Sequence, residues 1–289
     1  MFPASFGYVA AHSVEEALQL MAKHGEEGKL LAGGHSLIPA MKLRLASPRT
    51  LIDLGTVPGL RGVKVDGGNL VIGALTVHAD VASSDLVRKH LPGLSEAASV
   101  IGDMQVRNRG TIGGSVAHAD PAADLPVILT ALNASFIAQS SAGNRTIAAD
   151  RFFTDFYTTA MTANEILTEI RIPIPASGTG TAYSKLPHPA SGYVVVSAGV
   201  LIDRQPSGSC ASARVAIGGL GSGPVRALAT ELELQGKPLR SEVIAAAAAK
   251  AAEGTDPEGD TYASAEYKRH VTTVYAKRAI ERAVQRATA

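Results

Sequence analysis

The chain has 289 residues, of which 46% are hydrophobic and 18% are charged, and its net charge is +1. This profile is typical of a soluble globular protein and gives no electrostatic reason to expect binding to nucleic acid or to an anionic membrane. No apolar run approaches the ~20 residues that span a bilayer, and residues 1–6 lack the basic and apolar blocks of a secretory signal. We therefore expect a cytoplasmic protein of two domains, or one large one, without an integral membrane segment.

Cys210 is the only cysteine in the chain. A single thiol excludes an intramolecular disulfide and any cysteine-ligated iron–sulfur cluster or cysteine-rich zinc site held by this chain alone. Its small, polar neighbours predict an ordinary strand position. If the protein takes part in redox chemistry, the cofactor must be organic or must lie on a partner.

The first 55 residues alternate between strand and helix patterns. Ser13 and Glu16 form a predicted capping box at the start of a helix that Gly25 ends. Short apolar strands are predicted at residues 6–9, 29–32 and 51–54, and helical spacing runs through residues 37–45. This stretch is a small β-α-β-α-β unit.

The middle of the chain predicts a second mixed unit, and small polar residues at 176–181 predict a domain boundary. The patterns predict a hairpin at 62–65 and 70–73, helices from 76, at 91–101 and at 125–132, and strands at 135–138, 145–147 and 165–172. Beyond the boundary they predict three strands, at 181–186, 194–202 and 211–217, and then helices at 224–234, 241–253 and 265–287. The fold class is therefore α+β.

Two glycine segments carry the strongest functional signal. Ala32-Gly33-Gly34-His35-Ser36 follows a short strand, and Thr111-Ile112-Gly113-Gly114-Ser115 lies far downstream. Adjacent glycines leave backbone N–H donors bare for an anion such as phosphate, and a hydroxyl follows each pair. Neither segment has the spacing of a Rossmann or Walker A motif. A tight turn is the alternative for each alone, but the pair predicts two loops that meet around one pyrophosphate.

Several other motifs leave alternatives open. Residues 107–109 suit a phosphate clamp or, more often, a structural ion-pairing face, and residues 118–120 offer only two candidate metal ligands. Asp124 suits a helix N-cap or a ligand of ribose or ribityl hydroxyls. Tyr193 suits the core or the cover of a planar ligand, and the glycines of 218–223 suit a strand-to-helix connection. No Ser-His-Asp or Cys-His grouping supports nucleophilic catalysis.

Two motifs together resemble a known family. Residues 32–44, with the pattern AGGHSLIPxMKxR, and residues 107–115, with RNxGTIGGS, look like the FAD-binding medium subunit of the molybdenum hydroxylases, the group of carbon monoxide dehydrogenase, quinoline oxidoreductase and xanthine dehydrogenase. The resemblance continues through DPxxDLP at 120–126, IRIP at 170–173 and AEYK at 265–268, and so covers nearly the whole chain. Residues 185–193 depart from the basic stretch of the carbon monoxide and quinoline enzymes, so carbon monoxide is not indicated as the substrate.

The resemblance implies a vanillyl-alcohol-oxidase-like FAD-binding domain of two α/β subdomains, residues 1–55 and 56–176. A C-terminal α+β domain, residues 177–289, would follow, with a three-stranded antiparallel sheet and helices. It implies that the FAD pyrophosphate lies on the first loop and that further residues contact the flavin nucleotide, adenine or isoalloxazine. The implied cofactor-binding residues are Ala32, Gly33, Gly34, His35, Ser36, Leu37, Ile101, Thr111, Gly114, Ser115, Ala117, Asp124, Ile166, Leu167, Lys185 and Tyr193. Lys185 and Tyr193 are implied to lie at the isoalloxazine, and Ile166 and Leu167 at the adenine.

The implied function is that of an FAD-binding electron-transfer subunit. A large partner subunit would carry molybdenum–molybdopterin and a small one two [2Fe–2S] clusters, in a dimer of heterotrimers that is cytoplasmic or associated with the inner face of the membrane. The chain would pass electrons from the clusters through FAD to a terminal acceptor, without a catalytic or metal-binding residue of its own. One alternative is a self-contained FAD-dependent oxidase or dehydrogenase, and another is an assembly subunit without flavin. The substrate and the acceptor do not follow from the sequence.

Overall fold

The computed structural model describes residues 1–287, and its first unit is a three-stranded parallel sheet in the order β1-β3-β2. The unit consists of β1 (Gly7–Ala10), α1 (Val14–His24), β2 (Gly28–Leu31), α2 (Leu37–Lys42) and β3 (Thr50–Asp53). The predicted N-cap forms, because the Ser13 hydroxyl accepts from the N–H of Glu16. The Glu16 carboxylate accepts from the N–H of His12, one residue before the N–H that a capping box uses. The predicted β-α-β-α-β unit is confirmed, and the first glycine segment leaves the sheet at the end of β2.

The second unit is a five-stranded antiparallel sheet covered by short helices, in the order β4-β5-β10-β6-β7. Its strands are β4 (Val63–Asp66), β5 (Asn69–Gly73), β6 (Ser135–Ser140), β7 (Gly143–Ala148) and β10 (Ile166–Pro173), and β8 (Phe153–Asp155) and β9 (Thr158–Thr159) form a separate hairpin. Its helices are α3 (His78–Ser83), α4 (Asp85–His90), α5 (Pro92–Ser99), α6 (Met104–Arg107), α7 (Ile112–His118) and α8 (Asp124–Ala131). The fully buried rings of Phe136 and Phe152, with centroids 4.4 Å apart, lie in the core between sheet and helices.

The third unit is a four-stranded antiparallel sheet with three helices. It consists of β11 (Thr179–Pro187), β12 (Val194–Arg204), β13 (Cys210–Gly218), β14 (Val225–Arg226), α9 (Leu228–Leu234), α10 (Ser241–Ala248) and α11 (Ala265–Ala287). Cys210 is buried in β13, and burial is the main cause that raises the pKa of its thiol to about 11. The expected ordinary strand position of this cysteine is confirmed.

Two close backbone approaches define the position of the sheet of the third unit. A Cβ on Gly199 of β12 would lie 2.9 Å from Cα of Ile128 in α8, and a Cβ on Gly180 of β11 would overlap the carbonyl oxygen of Ala283 in α11. The sheet therefore packs one face on the second unit and the other on its own helices. Glu96 of α5 joins both layers, since it accepts hydrogen bonds from the N–H of Tyr183 and from Arg286 of α11.

Two sequence-based expectations are wrong. The C-terminal sheet has four strands and not three, because Val225–Arg226 pairs with Ala216 and Ile217 before α9 begins at Leu228. A two-residue strand is too short to show an alternating pattern, so it was included in the predicted helix. The second glycine segment is also not a loop beyond Thr111, since Ile112 begins α7. The finer division into vanillyl-alcohol-oxidase-like subdomains stays a prediction.

Candidate functional site

The first glycine segment presents a row of free backbone donors. Between β2 and α2, the N–H groups of Gly33, Gly34, His35 and Ser36 donate no hydrogen bond within residues 1–287. Gly34 has a left-handed φ of 75°, which only glycine adopts without strain. The Nδ1 atom of His35 lies 3.1 Å from the carbonyl oxygen of Gly33, and this contact helps to hold the turn. The predicted bare N–H donors are therefore present and unpaired.

The second glycine segment is the capped first turn of α7. The Thr111 hydroxyl accepts from the N–H of Gly114 at 3.0 Å, and the N–H of Gly113 donates to the carbonyl of Ala74 at 2.8 Å. A Cβ on Gly113 would lie 2.5 Å from Cβ of Ala74, so no larger residue fits there. These bonds explain why two consecutive glycines, poor helix formers, begin a helix here.

The two segments meet, as the sequence predicted. A Cβ on Gly33 would overlap the carbonyl oxygen of Arg109 and lie 2.8 Å from Cα of Gly110. A Cβ on Gly114 would lie 3.9 Å from Cβ of Ala32. Because the approach at Gly33 is between backbones, glycine at this position allows the free N–H groups of the first segment to lie beside the first turn of α7.

A cleft of about 1910 Å³ opens at this junction. It extends from the two glycine segments to the loop before β12 on one side and to the start of β10 on the other. The predicted site residues that line it are Ala32, Gly33, Gly34, His35, Ser36, Leu37, Ile101, Thr111, Gly114, Ser115, Ala117, Asp124, Ile166, Leu167 and Tyr193. Tertiary folding thus brings residues from all three units to one cavity.

Lys185 is the predicted site residue that does not line the cleft. Its side chain is only 6% exposed, and its Nζ lies 2.9 Å from Asp124 Oδ1 and donates to the carbonyl of Gly192, also at 2.9 Å. The Tyr183 hydroxyl donates to the same carboxylate at 2.7 Å. Burial raises the pKa of Asp124, an effect that the Lys185 charge and the two hydrogen bonds oppose, and burial with the Asp124 charge raises the pKa of Tyr183 well above its usual value.

Of the two alternatives for Asp124, the helix N-cap is wrong. Ala123 occupies the N-cap position and Asp124 is the first residue of α8, so its carboxylate is free to bind Tyr183 and Lys185. Asp124 lines the cleft, and Lys185, which does not, holds the loop that carries Tyr193 through its bond to the Gly192 carbonyl. The Tyr193 ring is 46% exposed and belongs to the cleft rather than to the core.

A second ion pair orders the other end of the cleft. Glu165 precedes Ile166 and receives two hydrogen bonds from Arg145 and one from the N–H of Thr162. These bonds, the Arg145 bond first, lower the pKa of Glu165 to about 2. The pair holds the segment that leads into the buried, apolar Ile166 and Leu167 of the lining.

Arg107 donates to the backbone carbonyls of Ile101 and Gly102. This role is structural, but it uses backbone oxygens and not the ion pairs expected as the alternative for residues 107–109. Within residues 1–287, no group of three His, Cys, Asp or Glu side chains could hold a metal ion. The same part of the chain contains no helix long and apolar enough to cross a bilayer.

Two residues that line the cleft, His78 and Tyr157, are not among the site residues predicted from the sequence. His78, at the start of α3, is 5% exposed, and its Nδ1 has no hydrogen-bond partner in the described part of the chain. Burial, with smaller contributions from the charges of His35 and Arg107, lowers its pKa to about 4. Tyr157 lies in the turn between β8 and β9. Neither position carries a local pattern that could have identified it, since only the fold places them in the cleft.

The residues present fit a dinucleotide. Free N–H donors at the junction suit a diphosphate, and the volume accommodates an elongated cofactor. The fold and the cleft therefore define the class of the protein, one that binds a dinucleotide.

Two protein-family models match the chain. A model described as the FAD binding domain in molybdopterin dehydrogenase matches residues 4–175, and one described as the CO dehydrogenase flavoprotein C-terminal domain matches residues 181–283. The chain belongs to this family of FAD-binding subunits of molybdenum hydroxylases. The resemblance seen in the sequence and the expected function of an FAD-binding electron-transfer subunit in an oxidoreductase complex are confirmed.

Individual relatives span the whole chain. It is 41% identical to the carbon monoxide dehydrogenase medium chain of Hydrogenophaga pseudoflava, over 98% of each protein. It is 39% identical to subunit alpha of the 6-hydroxypseudooxynicotine dehydrogenase complex of Paenarthrobacter nicotinovorans, over 99% of this chain and 97% of the relative. A chain of quinoline 2-oxidoreductase from Pseudomonas putida 86 has the same fold, with a TM-score of 0.94, 32% identity and full coverage of both chains.

Proposed function

We propose that the cleft holds FAD with its diphosphate at the junction of the two glycine segments. The observation that carries this proposal is the row of four unpaired N–H groups in the first segment, beside the capped turn of α7. Donors fixed by backbone contacts bind an anion without first having to be ordered. The neighbouring Leu37, Ser115 and Ala117 line the same part of the cleft and would enclose the diphosphate and its sugars.

The two ends of the cleft suit the two ring systems of FAD. Ile166 and Leu167 are apolar and line one end of the cleft, which suits the adenine, while Tyr193 is half-exposed and would lie against the isoalloxazine. Ile101 would pack near the flavin. We assign Lys185 a different role from direct contact, since it neutralises Asp124 and holds the Gly192 carbonyl, which positions Tyr193.

When bound, FAD supplies the electron-transfer chemistry, and this chain binds and orients it. We propose a large molybdopterin subunit and a small subunit with two [2Fe–2S] clusters as partners, in a dimer of heterotrimers. The chain's single, buried Cys210 supports this division, because cysteine-ligated clusters need several accessible thiolates. The relatives are named for different substrates at similar identity, which supports a substrate site on another subunit.

We also propose the boundaries near residues 55 and 176. Each of the three larger sheets lies within one of the resulting segments, which supports the division. A cytoplasmic location, or one at the inner face of the membrane through the complex, remains a prediction to be checked by fractionating cells.

Native purification with subunit identification tests the function. We expect this chain to copurify with a large and a small subunit, with FAD, molybdenum and iron in stoichiometric amounts. A lone flavoprotein that oxidises its own substrate would instead support the self-contained alternative, and a colourless chain would contradict both. Separately, diphosphate-containing ADP should compete with FAD for the isolated chain, which locates the anion site independently of the partners.

A further inference from the structure

The turn between β8 and β9 holds a bulky residue in a conformation that favours glycine. Phe156 and Tyr157 connect the two strands, and Tyr157 has a φ of 52°. In this left-handed region the Cβ of an ordinary residue crowds the backbone, so turns usually place Gly or Asn there. A strained residue persists where the surrounding structure requires it, and such residues cluster at ligand sites.

The side chain of Tyr157 lies at the cleft, which suggests why the strained conformation is kept. Tyr157 and Phe156 are equally exposed, at 58%, but Tyr157 lines the cleft and Phe156 does not. The Tyr157 ring lies 5.2 Å from the ring of His118, at an angle of 48°. Burial and the charge of Asp120 raise the pKa of its hydroxyl. The left-handed turn therefore directs an aromatic ring to the cleft wall.

Tyr157 and Tyr193 belong to the same end of the cleft. The Tyr157 ring lies beside His118, and the N–H of Val194, next to Tyr193, donates to the carbonyl of Ala122 at 3.1 Å, so both tyrosines lie at the segment around the end of α7. In agreement, burial, the charge of Asp120 and Tyr157 raise the pKa of Tyr193. His118 is the last residue of α7, whose first turn forms the glycine junction. Seven helical residues span about 10 Å, which separates the two tyrosines from the diphosphate site.

We propose that Tyr157 is a second aromatic contact of the isoalloxazine, which it encloses together with Tyr193. The inference rests on the proposed function. The isoalloxazine is assigned to this end because the two tyrosines form an exposed rim that a redox partner can approach, whereas Ile166 and Leu167 are buried. Offset and edge-to-face packing of aromatic rings stabilises such a planar ligand and excludes water from it. The contact explains why the chain retains a tyrosine in a position suited to glycine.

Tyr157→Gly in the full-length chain, with Phe156→Gly as the matched control, tests the proposal. Glycine relieves the left-handed conformation, so the melting temperature of the flavin-free protein should not fall. Removal of the ring should weaken binding of FAD, and of FMN as a probe without adenine, by about three- to tenfold. Fluorescence of the bound flavin should rise, because a neighbouring tyrosine ring quenches it. Phe156→Gly should leave both flavin readouts unchanged, and Tyr157→Phe should retain wild-type affinity.

Each contrary result has a distinct meaning. Unchanged FMN affinity and flavin fluorescence in Tyr157→Gly would overturn the contact, and weakened ADP binding with unchanged FMN binding would place the ring at the adenine instead. A large fall in the melting temperature would indicate that Tyr157 only supports the turn. If the wild-type chain binds neither FAD nor FMN, the proposed function fails rather than this inference.

Discussion

The junction of the two glycine segments predicts that a single methyl group at Gly33 disrupts cofactor binding. In Gly33→Ala the new Cβ would overlap the carbonyl oxygen of Arg109 and lie 2.8 Å from Cα of Gly110. Both neighbours are backbone atoms, so no side-chain rotation relieves the overlap and the two segments must separate. Overpacking of this kind costs about 1–3 kcal/mol, and we expect the upper part of this range because the backbone itself must move.

The separation should affect FAD more than folding. Each charge-assisted hydrogen bond from a displaced N–H to phosphate contributes about 1.5–3 kcal/mol, so the loss of one weakens binding by roughly 10- to 100-fold. Titration of flavin-free protein with FAD measures this effect, and thermal unfolding of the same preparation measures the stability. Gly221→Ala is the control, because its Cβ would have only an ordinary contact, 3.8 Å from Val225.

Gly114→Ala should have an effect between those of Gly33→Ala and Gly221→Ala. In Gly114→Ala the nearest atom is the Thr111 hydroxyl oxygen at 2.7 Å, and this side chain can rotate away. The rotation would remove the N-cap bond, which costs about 0.5–2 kcal/mol. The expected order of damage is therefore Gly33→Ala, then Gly114→Ala, then Gly221→Ala. Wild-type FAD affinity and melting temperature in Gly33→Ala would refute the close approach of the two segments.

Three further predictions concern the titratable groups around the cleft. Lys185→Met should lower the free energy of unfolding in urea by about 3–5 kcal/mol, because it leaves the Asp124 carboxylate buried without its partner charge. Adding Asp124→Asn to this variant should restore part of the loss, and full additivity of the two changes would contradict a direct pair. The pKa of His78 is about 4 in the folded state and near 6.5 in the unfolded state, so the unfolded state takes up the proton first as the pH falls. The free energy of unfolding should therefore decrease by up to about 3 kcal/mol between pH 6.5 and pH 4. His78→Asn should flatten this part of the profile of melting temperature against pH, and an unchanged slope would exclude His78 as its source. In the folded state the pKa of Glu165 is lowered to about 2, so its contribution to the stability of the fold is present above pH 4.5 and is lost as the pH falls towards 2. Glu165→Gln should therefore move the midpoint of acid unfolding, followed by circular dichroism, to higher pH, and Arg145→Met should do the same if the ion pair is responsible.

Local sequence signals predicted most of the fold because the elements that matter have local causes. The N-cap at Ser13, the β5 strand and the long helix α11 follow from residues within a few positions of one another. The same signals failed where long-range contacts decide. Val225 and Arg226 form a strand only because β13 lies beside them, and the first turn of α7 is held partly by the bond from the N–H of Gly113 to the distant carbonyl of Ala74.

The candidate site divides in the same way. By itself, the sequence determined that two Gly-Gly segments would expose backbone, and its motifs indicated the family and FAD. Only the tertiary structure decided that Lys185 is buried against Asp124, that His78 is buried at the cleft with an unpaired nitrogen, and that Tyr157 reaches the cleft from a strained turn. The physical reason is that a glycine's freedom is a property of one residue, whereas an ion pair or a cleft wall depends on segments that only folding brings together.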